Sequence, residues 1–144
     1  MSFDFGVGSN QPSGARGTAG QTKDEVINGQ FLQGTQGWTL GANWSLSGRS
    51  LLHEAGAIEA VSQDLAGATH TTVTYSFMVH LSGISAGTLT VTEGSGATGE
   101  ELDANGWHTW EAVLTTDTTL AFTPSTDFDG QIDVVRVRAL KVQP

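Results

Sequence analysis

Cysteine is missing from this sequence. Disulfides, thiolate metal sites and cysteine nucleophiles are excluded with it. Basic residues are scarce: six Lys and Arg stand against fifteen Asp and Glu, for a formal net charge of −9 and a pI near 4.5. A nucleic-acid surface needs a basic stripe, and an anionic membrane attracts one. Only Arg136, Arg138 and Lys141 cluster here, so neither nucleic acid nor membrane is expected as a partner. No run approaches the ~20 apolar residues of a membrane-spanning helix. No basic region followed by an apolar run marks a signal peptide, so synthesis in a cytoplasm is expected. Long apolar stripes of helical period are absent, which argues against a helical bundle.

Glycine is abundant, at 19 of 144 residues, and Ser and Thr are plentiful. A chain of this length is expected to form one domain, and this mix suits short strands and tight turns. Residues 1–23 read as an extended, Gly-rich N-terminal arm, and 24–144 as the folded domain. "EVI" at 25–27 reads as a short first strand closed by the Asn28-Gly29 turn. "GWTL" and "NWSL" flank Gly41-Ala42 as a hairpin that carries Trp38 and Trp44 into the core. "SLLHE" and "AIEAVSQDL" read as strands around a turn at Gly56.

The clearest strand is "TVTYSFMVHL", where Val73, Tyr75, Phe77, Val79 and Leu81 alternate with Thr72, Thr74, Ser76, Met78 and His80. Period-two alternation of this length places one face in a core. "GTLTVT" repeats the pattern, "WHTWEAVLTT" follows the Asn105-Gly106 turn, and "TTLAFTP" and "QIDVVRVRALKV" close the chain. In the last, Val135, Val137 and Ala139 share a face with Asp133, while Arg136 and Arg138 point the other way. About eight to ten short strands with regular turn signals predict an all-β antiparallel sandwich or jelly roll.

Gly83-Ile84-Ser85-Ala86-Gly87 matches the G-x-S-x-G elbow, but a strand follows where a helix is required, so it reads as a hairpin loop. Gly94 to Gly99 matches G-x-G-x-x-G, but Glu100, Glu101 and Asp103 follow rather than a helix N-terminus; the stretch reads as a flexible surface loop. His53, His70, His80 and His108 lack ligand spacing. "DFDGQID" offers Asp127, Asp129 and Asp133 as hard oxygen ligands for a calcium ion, with Asx-type turn chemistry as the alternative. Trp110, in phase with Ala112 and Leu114, is expected in the core. Trp107, directly after a turn, is the tryptophan expected at the surface. With His80 it is the candidate for glycan contact, since aromatic faces stack on sugar rings. No acid pair suggests a glycosidase, and no enzyme is expected.

With these residues in place, "INGQF", "GWTLGANWSLSG", "AIEAVSQDL", "TVTYSFMVHLSGISAGTLTVT" and "FDGQIDVVRVRAL" resemble the carbohydrate-binding-module type of galactose-binding-like jelly roll. The resemblance runs from Ile27 to Leu140. Its best anchors are Asn28-Gly29-x-Phe31, Gly37-Trp38 and Phe128-Asp129-Gly130-x-Ile132-Asp133. It implies a structural calcium held by an acid after Phe31 and by an Asp near the C-terminus; Asp133 matches the latter, but Leu32 occupies the former position. Similar domains occur in tailed-phage virion proteins.

The main expectation is therefore a non-enzymatic virion protein, most simply a capsid decoration protein. It would sit on capsid or other virion proteins as a homo-oligomer, with a trimer favoured. Phe3, Phe5, Val7 and Arg16 would be its arm anchors. Fixing one residue costs about 1–2 kcal/mol, while burying an apolar side chain returns only ~1.5–3 kcal/mol. A docked arm must therefore also pair its backbone with a neighbour. The alternative is a carbohydrate-binding or tail-adhesin module that binds cell-surface glycans.

Overall fold

The computed structural model describes residues 24–65, 68 and 73–140, and the arm anchors Phe3, Phe5, Val7 and Arg16 lie outside them. Among the described residues nine strands form: β1 (Trp44–Ser47), β2 (Ser50–His53), β3 (Val61–Asp64), β4 (Thr74–Ala86), β5 (Leu89–Thr92), β6 (Glu100–Leu102), β7 (Gly106–Val113), β8 (Thr119–Pro124) and β9 (Asp129–Ala139). They build a five-stranded sheet in the order β1-β2-β9-β4-β7 and a four-stranded sheet in the order β3-β8-β5-β6. Every pairing is antiparallel, and no helix occurs among the described residues. The chain is an all-β sandwich of the jelly-roll kind.

The core lies between the sheets and follows from the alternation. In β4, Tyr75, Phe77, Val79 and Leu81 are buried, and the residues between them turn outward. Leu89 and Val91 of β5 and Leu120 and Phe122 of β8 meet them from the other sheet, all fully buried. Each such side chain contributes about 1.5–3 kcal/mol by leaving water. Trp38 and Trp44 are buried as expected. Trp110 is half-buried, stacked on Phe77 with ring centroids 5.5 Å apart and planes 8° from parallel.

Three local expectations are corrected. Residues 25–27 form no strand. Asp24 makes an isolated bridge to Arg138, and its carboxylate accepts the amides of Val26 and Val137, both at 3.0 Å. That side-chain capture bends the segment along β9. Trp38 and Trp44 do not flank a hairpin; Thr39 instead bridges to Ser62, and "AIEAVSQDL" pairs only over Val61–Asp64. The glycine-rich 94–99 loop is fastened down, since the Gly94 carbonyl accepts the amides of Thr115 and Thr116 at 2.7 and 2.8 Å.

The anchor residues explain how the N-terminal loop holds its shape. Asn28 has φ of 57°, and its side chain donates to the carbonyls of Gly34 and Gln36 and accepts the Gln33 amide, each at 3.0 Å. The Trp38 indole donates to the Asn28 carbonyl at 3.1 Å. At Gly29 a Cβ would lie 2.1 Å from the Val135 carbonyl oxygen, so only glycine fits.

Candidate functional site

The outer face of the five-stranded sheet gathers the chemistry. Register sets His80 on β4 opposite Trp107 on β7. The two rings meet edge to face, with centroids 5.0 Å apart and planes at 66°. Trp107 is 53 % exposed although it is one of the largest apolar side chains. The sequence candidates Trp107 and His80 are thus brought side by side.

On the other flank of His80 stands Asp133. Its Oδ2 lies 2.8 Å from His80 Nδ1, and its Oδ1 accepts the hydroxyls of Ser50 at 2.6 Å and Ser82 at 3.0 Å. The row Trp107, His80, Asp133, Ser50 therefore crosses four neighbouring strands, β7, β4, β9 and β2. An ionised carboxylate only accepts, so Nδ1 of His80 carries the proton that it donates to Asp133. In the neutral ring this leaves Nε2 as an acceptor beside the exposed indole. A carboxylate that fixes the tautomer and angle of a histidine prepares its far nitrogen for a ligand. Aromatic surface beside a positioned acceptor suits a sugar, which offers an apolar ring face and hydroxyl donors.

A β-bulge puts Asp133 there. Ile132 pairs with Leu81 and Val134 with His80, so β9 carries one residue more than β4 at this point. The extra residue reverses the alternation. Ile132 and Val135 both face the core, and Asp133 stands outward between them. The expectation that Asp133 shares the face of Val135, Val137 and Ala139 is therefore corrected. The signal lay in the adjacent Val134 and Val135, which break strict period two. A carboxylate outside the core needs no metal to tolerate burial.

The calcium candidates Asp127, Asp129 and Asp133 are not brought together. Asp127 accepts the Ser125 hydroxyl at 2.7 Å within its turn. Asp129 opens β9 opposite Ala86, and Asp133 is engaged by His80 and two serines. No group of three or more His, Cys, Asp or Glu able to hold a metal occurs among the described residues.

The remaining motifs serve the fold. The hairpin expected at Gly83 to Gly87 is corrected: Ser85 lies within β4, and β4 and β5 belong to different sheets, so the chain crosses between the sheets at Gly87, which has φ of 80°. His53 is fully buried against Trp44 and Phe128, with Nδ1 2.8 Å from the Phe128 carbonyl oxygen. His108 contacts the Ala104 carbonyl, and His70 lies outside the described residues. One group went unremarked in the sequence: buried Glu93 accepts the Trp110 indole at 2.7 Å and the Ser95 hydroxyl at 2.6 Å.

No protein-family model matches the chain, and no curated protein matches it in sequence. Solved structures do. The CBM22-1 xylan-binding domain from Paenibacillus barcinonensis aligns over 88 % of this chain and 100 % of its own, with TM-score 0.54 and 15 % identity. The tandem CBM22-1-CBM22-2 domain from that organism aligns over 88 % of this chain and 49 % of its own, with TM-score 0.50 and 17 % identity. The CBM22-1-GH10 modules of Clostridium thermocellum endo-1,4-beta-D-xylanase 10B, complexed with xylohexaose, align over 88 % of this chain and 30 % of their own, with TM-score 0.51 and 16 % identity. At such identities the likeness establishes the fold alone: this chain is a β-sandwich similar in fold to these modules.

Proposed function

We propose that this chain is a non-catalytic carbohydrate-binding module, and that its glycan lies on the outer face of the five-stranded sheet. The observation that carries this reading is the row of exposed Trp107, His80 and Asp133. Trp107 supplies the stacking surface, Nε2 of His80 accepts a sugar hydroxyl, and Asp133 holds the imidazole in the accepting tautomer. The xylan-binding neighbours support this choice among functions for the shared fold. Titration calorimetry with soluble plant polysaccharides tests it. Wild-type protein is expected to bind and Trp107→Ala to lose that binding while remaining folded; wild-type protein that binds no glycan overturns the reading.

The comparisons favour this alternative over the virion expectation. Placement on a tailed-phage particle, through contacts to capsid proteins and as a trimer, remains a proposal that rests on the sequence resemblance and on residues 1–23. Co-purification with intact particles, lost on deletion of residues 1–20, is its test.

A further inference from the structure

Beyond the bulge, β9 presents Arg136 and Arg138 on the same outer face as the Trp107 row. Arg136 pairs in register with Met78 and Arg138 with Ser76, and β7 supplies Thr109 and Glu111 at the same levels. Successive outward residues of a strand lie about 6.7 Å apart. From the His80 level, the two guanidinium groups therefore stand one and two steps along the sheet. An open groove of about 380 Å³, lined by Ser76, Thr109, Trp110 and Glu111, continues the platform in that direction.

Two features set these arginines apart. The whole chain has six basic residues and a formal net charge of −9, yet two of the six share one outward face of one strand. Acidic residues are plentiful, yet neither guanidinium has a carboxylate or other side-chain partner among the described residues. Arg136 is half-buried and Arg138 exposed. In so acidic a protein, arginines with no carboxylate partner among the described residues are suited to receive one from outside. Guanidinium is the side chain whose planar fork matches a carboxylate with two parallel hydrogen bonds.

We propose that the platform takes an acidic glycan, a polysaccharide with uronic-acid carboxylates, and that Arg136 and Arg138 bind those carboxylates. This rests on the reading of the Trp107 row as a sugar site and names the class of sugar. One ring lies against Trp107 and His80, and the chain runs on along the groove. The strands on the two sides of Ser76 differ in charge, with Glu111 on β7 lining the groove and Arg138 on β9 at the same level beyond it. A carboxylate is repelled by the first and drawn to the second, so each uronate turns its acid edge toward β9. Glu111 is left to accept hydroxyls from the opposite edge.

The test uses the full chain and matched ligands. Polygalacturonate, alginate and glucuronoxylan are each titrated beside a neutral form made by esterifying or reducing the carboxyl groups. At least one acidic form is expected to bind about tenfold more tightly than its neutral form at low salt, with the preference shrinking as salt rises. The double variant Arg136→Gln/Arg138→Gln is expected to lose the preference and keep the affinity for the neutral form. Equal binding of acidic and neutral forms, or a preference unchanged in the double variant, overturns the proposal and leaves the Trp107 platform standing. Binding of no glycan, acidic or neutral, overturns both.

Discussion

On the five-stranded sheet the outward positions of β7, β4 and β9 hold Trp107, His80, Asp133 and Arg136. On the four-stranded sheet the outward positions of β5 and β8 hold Thr90, Thr92, Ala121 and Thr123. Both faces satisfy the same alternation, and both cover the same core. On those two strands no charged or aromatic side chain stands outward, and threonine suits a pleated surface by its β-branch. The other face departs from preference at each position that matters. A large aromatic is left exposed, a carboxylate occupies a strand, and two cations lack side-chain partners among the described residues. Departures of this kind concentrate where a protein meets a ligand.

That contrast sets the order in which it is broken. The largest effect is expected where neither face is spared. Phe122 is fully buried between the sheets, and Phe122→Ala is expected to cost about 3–5 kcal/mol in denaturant unfolding. Next comes Trp107→Ala. Loss of an aromatic anchor at the centre of a binding surface costs about 2 kcal/mol, or roughly 30-fold in affinity. Unfolding stability is expected to move by no more than about 0.5 kcal/mol, because the side chain is exposed. Calorimetry paired with denaturant unfolding separates the two quantities.

Asp133→Asn is expected to be smaller and to act through His80. The amide oxygen keeps the two serine hydroxyls, so the amide nitrogen faces the imidazole and donates to Nδ1. The proton then moves to Nε2, and the acceptor becomes a donor. Nitrogen NMR of the imidazole is expected to show the exchanged tautomer, with glycan affinity about tenfold lower. The smallest effect is expected at Thr123→Ala, on the opposite sheet, where affinity stays within about twofold of wild type. A loss there as large as at Trp107 would erase the distinction between the faces.

Much of the sandwich was legible in the alternation of residues 73–81, 88–92 and 119–124, because a face buried on one side writes itself as period two. Trp107 and His80 were legible as a surface aromatic and an outward strand residue, though not as neighbours. Neighbourhood comes from register between β4 and β7, which no local pattern encodes. Asp133 was misplaced because an unbroken period was carried through a bulge. The N-terminal segment misled for a different reason: side chains do the work of backbone there. Gln63 receives the Ile27 amide at 2.7 Å and donates to the Ile27 carbonyl at 2.9 Å, standing in for a strand partner.

The bulge also bears on how such a surface is acquired. Ile132 and Val134 face Leu81 and His80, which are consecutive in β4. Removal of Asp133 would leave an uninterrupted ladder from Gln131 to Ala139, with Val134 still opposite His80 and the core face of β9 intact. The residue that orients His80 is therefore one the sheet can spare. In genetic terms, a single in-frame codon separates a sheet with an oriented imidazole from one without it.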